Sequence, residues 1–296
     1  MWFRNLQVYR MTNWNMTVAM LEETLSRHAL QGCLRTEMQS RGWVSPREDG
    51  ESFVHVFGQH MLIAFGVEKK LLPAAVINQF AKERIVEIEQ QQGYKPGRKQ
   101  IKDIKEAILL DLLPRAFTLR HKSYAWINPT DGCFIIDTPS TAKADELIEM
   151  LLKSIDSIGL TPLKTKISPS SAMTEWLSGD NELAAFSIDR DCELRGMDDE
   201  KATVNYIRHV LDSEDIAKHV KTGKQVTKLA MTWRNKISFI LHDNLQFKRI
   251  APLDILKEPT DTTAELFDSD FAIMTGEITQ LLPDMIDVLG GEEHSQ

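Results

Sequence analysis

Three carboxylates, Asp189, Asp191 and Glu193, alternate along the chain. On an extended segment that spacing turns them to one side, where they could hold Mg²⁺ for phosphodiester chemistry. The same pattern suits a solvated edge strand that resists pairing through its charge, and no Lys or His is clearly associated with it. His55 and His60 flank a tight turn and could share a metal, although imidazoles beside a turn are more often simply exposed polar groups. Residues 93–99 read GYKPGRK. That is one residue short of a phosphate loop, with no hydroxyl after it, and it falls between helices instead of after a strand. The chain contains no G-x-S-x-G elbow, C-x-x-C pair or H-E-x-x-H helix, so neither a hydrolase nucleophile nor zinc is expected. Cys33, Cys133 and Cys192 are far apart and odd in number, which does not suit a disulfide framework. No cofactor is expected.

What remains is the chemistry of binding. The net charge of −8, from 35 Lys+Arg against 43 Asp+Glu, argues at first against nucleic acid. The sum hides a partition. Residues 69–122 hold 12 basic and 6 acidic side chains, and residues 218–249 hold 8 and 1. Residues 174–217 hold 4 and 12, and residues 250–296 hold 1 and 11. Two basic blocks against an acidic background form the footprint of a polyanion-binding surface, or else a set of solvated faces paired with the acidic segments. The second block contains Lys218, Lys221, Lys224, Lys228, Arg234, Lys236, Lys248 and Arg249. A positive surface of this kind attracts phosphates without reading sequence. No recognition helix or zinc finger is present to read bases.

The elements that must position these groups follow from periodicity. Residues 2–10 alternate and predict a strand, and Asn15 to Leu30 predict a helix with Met16, Met20 or Ala19, and Leu25 on one side. FVHVF (53–57) and MLIAFGV (61–67) predict a hairpin. Pro73 opens a helix whose apolar face is Ile77, Phe80 or Ala81, Ile85 and Ile88. A second helix runs from Arg98 to Leu113, stopped by Pro114. This helical hairpin, 73–113, carries Arg98, Lys102 and Lys105 beside its apolar stripe. Strands are expected at 117–128 and 133–138, a helix at 140–158, a short strand at 160–166, a helix near 171–178, and strands near 183–188 and 202–208. A helix opened by Asp212-Ser213 follows, then a basic meander over 225–233, 237–242 and 245–250, and an acidic amphipathic helix ending at Gly290-Gly291. The fold class is α+β, with mixed antiparallel sheets, helices and a projecting helical hairpin. Ser168-Pro169-Ser170-Ser171 suggests a boundary between domains 1–167 and 168–296. No apolar run approaches the roughly 18 residues of a membrane span. The opening residues carry charge inside their apolar stretch, unlike a signal peptide, so a cytoplasmic protein is expected.

The chain resembles the bacterial recombination-associated RdgC family. The resemblance rests on Trp2-Phe3-Arg4-Asn5-Leu6 with Val8-Tyr9-Arg10, on Glu68-Lys69-Lys70-Leu71-Leu72-Pro73, and on Leu112-Leu113-Pro114-Arg115-Ala116-Phe117. Further on it rests on Thr174-Glu175-Trp176, on Gly223-Lys224 with Val226-Thr227-Lys228-Leu229-Ala230 and Trp233, on Lys248-Arg249, and on Met274-Thr275-Gly276-Glu277. These stretches run in order from end to end. The resemblance implies a non-enzymatic, non-sequence-specific DNA-binding protein. Its homodimer would form a ring around duplex DNA and limit access of a RecA-type recombinase during recombination and replication-fork repair, in the nucleoid. Single strands are a possible further ligand.

On that reading the DNA-binding residues are Lys70, Arg98, Lys99, Lys102, Arg115, Arg120, Lys122, Arg208, Lys224, Lys228, Arg234, Lys248 and Arg249. Phe117, which alone would read as a core residue of its strand, becomes a dimer-interface anchor. His209, beside Arg208, is only partly charged near neutral pH. The alternative from a different class is a Mg²⁺-dependent nuclease using Asp189, Asp191 and Glu193.

Overall fold

The computed structural model describes residues 1–293 except 49, 157, 180–182, 212 and 255–262. The opening strand is β1 (Asn5–Thr12). Thr17 then caps α1 (Val18–Arg27), its hydroxyl accepting from the Met20 amide at 3.2 Å. The cap sets the helix start, so Met16 precedes the helix and the buried pair is Leu21 and Leu25. Met20, expected on the apolar face, is 50% exposed. β2 (Gln39–Val44) is followed by the expected hairpin of β3 (Val54–Phe57) and β4 (His60–Leu71). The helical hairpin is α2 (Ala74–Gln92) and α3 (Arg98–Leu112). Pro73 stands at the N-cap, and Gly93, with φ of 78°, ends α2 in the left-handed region that glycine adopts without strain. A single 3₁₀ turn at Leu113–Arg115 leads into β5 (Phe117–Asn128), which pairs with β6 (Cys133–Asp137).

After α4 (Thr141–Ser154) and the short β7 (Gly159–Pro162), Ser168 caps α5 (Pro169–Ser178), accepting from Ser171 N at 3.2 Å. The serines near 168 thus begin a helix instead of separating domains. β8 (Phe186–Gly196) and β9 (Thr203–Tyr206) precede α6 (Ser213–Lys221). The basic meander is β10 (Lys224–Trp233), β11 (Ile237–His242) and β12 (Phe247–Pro252), and α7 (Thr263–Val288) closes the order. The architecture is α+β, built on antiparallel strands. No helix among the described residues is long and apolar enough to cross a membrane.

The chain forms two compact units that do not follow a single cut in sequence. One comprises Met1–Met16, His55–Leu62 and Tyr124–Gln296. Its strand order is β5-β6-β1-β12-β11-β10-β8-β9, with β7 also on β1. β8 therefore has neighbours on both sides and is not an edge strand. One face of this sheet packs on helices. Met173, Trp176 and Leu177 of α5, Ile216 of α6, and Phe271, Met274, Ile278, Leu281 and Met285 of α7 join Leu229, Met231, Trp233, Phe239, Leu241 and Phe247 in one buried core. The α7 positions recur every three or four residues, one stripe of a 3.6-residue helix. Each such burial contributes roughly 1.5–3 kcal/mol relative to exposure. Near residue 292 the chain returns to β1, where Arg10 grips Glu292 with two bonds, Nε to Oε1 at 2.8 Å and Nη2 to Oε2 at 2.5 Å.

The second unit comprises Thr17–Val54 and Ile63–Ser123. β2 and β4 pair from Gln39 opposite Lys69 to Val44 opposite Ala64. Trp43 and Phe65 meet edge to face with ring centres 6.0 Å apart. Within the helical hairpin, Ala81 and Ile104 are the buried side chains of its two arms.

Candidate nucleic-acid interface

The face of the first unit's sheet that lies opposite α5 and α7 is polar over β8 to β12, and strand register fixes its membership. Residues directly opposite one another in antiparallel strands point the same way. Asn205 stands opposite Glu193, Glu193 opposite Lys228, and Lys228 opposite His242. A second row runs from Asn5 to Lys248 to Ile240 to Ala230. Lys228, His242, Lys248 and Arg249 border an open depression of about 330 Å³, together with Asn5, Asn205, Asp191 and Glu193.

Two irregularities aim the cations. At Thr227 two residues of β10 stand where β8 has one. This bulge lets Val226 and Leu229 both face the core while Thr227 and Lys228 both reach Glu193. In β12, the register advances from Lys248 to Ala251 while β11 advances only from Ile240 back to Ser238. Arg249 takes up the extra residue with φ of 54°, a left-handed conformation that costs roughly 1–2 kcal/mol for a side chain of its kind. Phe247 and Ile250 stay in the core, and Lys248 and Arg249 between them both border the depression.

Lys248 and Arg249 make no ion pair among the described residues, whereas Lys228 Nζ lies 2.5 Å from Glu193 Oε2. Glu193 also accepts from Thr227 Oγ1 at 2.7 Å and pairs with Arg195 at 2.9 Å. Burial alone would raise the Glu193 carboxyl. The bonds from Lys228 and Thr227, with the charges of Lys228 and Arg195, outweigh it and hold the group below the usual carboxylate range. His242 reports the field of the whole cluster. Burial, then the charges of Lys248 and Lys228, push its imidazole down to about 4, against an opposing pull from Glu193, and Arg249 acts in the same downward sense.

The remaining basic positions are distributed differently. Arg234 lies six residues beyond Lys228, roughly 20 Å along an extended strand. It pairs with Asp284 of α7 at 2.8 Å, Lys236 pairs with Glu277 at 2.6 Å, and both cations lie over the Trp233 ring. Arg234 is therefore held against the chain's own helix instead of joining the polar face. Lys224 is half-buried at the start of β10, opposite Gly196. Arg208 is exposed, and its backbone amide donates to Asp191 Oδ1 at 2.7 Å.

In the second unit, Lys70 is only 5% exposed and its ammonium donates to the Arg35 carbonyl at 2.9 Å. It is a structural cation, not a surface phosphate contact, and its neighbour Lys69 faces outward. Arg120 pairs with the buried Glu68, whose carboxyl is held below its usual range by the Cys33 amide and then by Arg120. Lys122 donates to the Ser45 carbonyl at 2.9 Å. Arg98, Lys99 and Lys102 are exposed at the start of α3 and, like the exposed Arg115, make no ion pair among the described residues. Cations at a helix N-terminus oppose the macrodipole, a local cost suited to a site that meets anions. Phe117 is 83% exposed, so it is not a core residue of this chain.

Asp191 and Glu193 border the same depression, but among the described residues the three alternating carboxylates do not form a metal-holding group. Between Cys192, opposite Leu229, and Ile188, opposite Met231, β8 holds three residues where β10 holds one, so pairing is irregular over 189–191. Asp189 accepts from Thr232 Oγ1, Asp191 from the Arg208 amide, and Glu193 from Lys228 and Thr227. Among the described residues no three His, Cys, Asp or Glu side chains are placed to hold a metal, the pair His55 and His60 included. His55 instead pairs with Asp268 at 3.3 Å, and His60 Nδ1 accepts from Trp126 Nε1 at 3.3 Å. His242, Asn5 and Asn205 are the members of the polar face that composition did not suggest. Alternation along Ile237–His242 was the available signal for His242.

An NMR titration of the His242 ring tests the convergence. Its midpoint should lie near 4, and addition of a short duplex, whose phosphates offset the three cations, should move it upward. A midpoint near 6.5 in the free protein would mean that the cations do not converge. Because the folded value lies below the ordinary 6.5, the unfolded chain binds the extra proton first. The stability associated with neutral His242 is full above about pH 6.5 and is lost as pH falls toward 4, a slope that His242→Gln should remove.

The family described as "Putative exonuclease, RdgC" matches residues 1–292. The chain is 50% identical to the recombination-associated protein RdgC of Janthinobacterium sp. (strain Marseille), covering 99% of both chains. It is 49% identical to that of Herminiimonas arsenicoxydans and 47% identical to that of Bordetella pertussis (strain Tohama I), again over 99% of each. With matching stretches, a family match and near-half identity all running the length of the chain, this protein belongs to the recombination-associated RdgC family.

Proposed function

We propose that this protein binds DNA through phosphates without reading sequence. It does so as a homodimeric ring around the duplex, in the cytoplasm and on the nucleoid, and limits access of a RecA-type recombinase during recombination and replication-fork repair. The observation that carries the reading is the convergence of Lys228, Lys248 and Arg249 on the polar face of the sheet over β8 to β12. The unpaired cations at the start of α3 supply a second anion-seeking surface. The chemistry supports position without sequence, since ammonium and guanidinium groups on a sheet contact backbone oxygens and no element is shaped to enter a groove and read bases. We read the chain as non-enzymatic, because Asp189, Asp191 and Glu193 are each spent on a separate partner.

For the dimer, the support is Phe117. A phenyl ring 83% exposed, beside an Arg115 that makes no ion pair among the described residues, is an apolar anchor that those residues leave uncovered. An isologous interface through that ring would pair two copies about a two-fold axis.

Three outcomes are expected. Lys248→Ala with Arg249→Ala should lower the log–log salt slope of duplex binding by about 1.8 per chain and weaken unrelated sequences alike; an unchanged slope would remove the depression from the contact. Phe117→Ala should leave the thermal midpoint within the range of a surface change while weakening dimerisation by about 2 kcal/mol in sedimentation equilibrium. Loss of fold without loss of dimer would refute the anchor role. Linear DNA incubated with Mg²⁺ should stay intact, and end-dependent shortening abolished by Asp191→Ala would replace the binding reading with a nuclease.

A further inference from the structure

Glu193 is the anomaly of the basic face. It is only 8% exposed, and it stands in the middle of the row that carries Lys228 and His242. Its Oε2 meets Lys228 Nζ at 2.5 Å, and its Oε1 meets Thr227 Oγ1 at 2.7 Å and Arg195 at 2.9 Å. Burying an ion pair on a sheet is weak support for stability, since an apolar pair of similar volume commonly does as well. Lys228 itself is not sealed in, with 38% of its side chain exposed at the depression. A carboxylate fixed by a hydroxyl and a guanidinium, holding a cation that still reaches solvent, presents that cation with the geometry of a phosphate already bound. The neighbouring Lys248 and Arg249, which border the same depression, make no ion pair among the described residues. The asymmetry lies within one depression: two cations open, one occupied.

We propose that Glu193 is a resident competitor for phosphate, which occupies Lys228 and keeps the protein's hold on DNA weak enough for it to move along the duplex and leave it. The proposal rests on the DNA-binding reading and adds its regulation. A phosphate entering the depression has two routes. It can contact Lys248 and Arg249 alone, or it can displace the Glu193 carboxylate from Lys228 and gain a third contact. The displaced carboxylate keeps Thr227 and Arg195, so the exchange leaves no buried charge without a partner. Binding through many phosphates with one contact withheld lowers affinity for every sequence equally, as counterion release requires.

The test is fluorescence anisotropy of the full-length protein on a labelled duplex of arbitrary sequence at several salt concentrations, with thermal melting to check folding. Glu193→Gln should bind about tenfold more tightly at about 0.1 M salt, with a slope steeper by about 0.9. Adding Lys228→Gln to that variant should erase the gain. A folded Glu193→Gln protein that binds no tighter than the parent, or a gain that survives loss of Lys228, overturns the proposal. Should Glu193→Gln fail to fold, Glu193→Ser takes its place. It likewise removes the carboxylate from Lys228, and a gain of the same sign is expected, with no gain in a folded variant counting against the proposal. Absence of any salt-dependent DNA binding by the parent protein would remove the underlying reading as well, and it is a different observation from equal affinities of parent and variant.

Discussion

Side chains on a strand alternate between its faces, and a sheet that buries one face has only every second position left for anything else. That constraint governs what the first unit can present to a ligand. Leu229, Met231 and Trp233 must face α5 and α7, which leaves β10 few outward positions for cations. The bulge at Thr227 and the left-handed turn at Arg249 relax the constraint in two places. Each inserts a residue that would otherwise have turned the following apolar side chain away from the core. Each thereby places two consecutive polar side chains on the same side, Thr227 with Lys228 and Lys248 with Arg249. The binding chemistry depends on irregularities that leave the core intact.

Charge behaves as a shared quantity across this sheet. The block at 218–249 holds 8 basic residues in sequence, but the fold divides them. Arg234 and Lys236 neutralise acids of α7, Lys218 pairs with Asp215 in its own helix, and Lys228 is held by Glu193. Lys248 and Arg249 remain open, and His242 feels them. A basic segment in sequence is thus an upper bound on a basic surface in space. The acidic helix α7 also consumes part of the positive block.

The positions and types of most elements were legible in sequence, because amphipathic periodicity and capping are local. The strand 117–128, the helical hairpin and the three-stranded meander lie where their patterns place them. What sequence could not show was parity. The run MLIAFGV is apolar at every position, so it does not tell which of Lys69 and Lys70 turns inward, and the structure buries Lys70. Asp189, Asp191 and Glu193 have the spacing of a shared face, but each is bound to a different partner, which spacing alone does not reveal. The division into units was equally hidden, because α1, β2 and the helical hairpin form a compact body whose segments are interrupted by the short stretch His55–Leu62. The family-specific stretches, by contrast, were visible without any geometry.

The grip of Arg10 on Glu292 has a mechanical meaning. β1 is an interior strand, bonded to β6 on one side and to β12 and β7 on the other, and the forked guanidinium fastens to it a residue 282 positions away in sequence. Tension applied at one is carried to the other through two charge-assisted bonds. The stretch after α7 is fastened at several points in the first unit, by the Arg10 fork and by backbone bonds from Lys166 N to Gly291 O and from Glu293 N to Lys164 O.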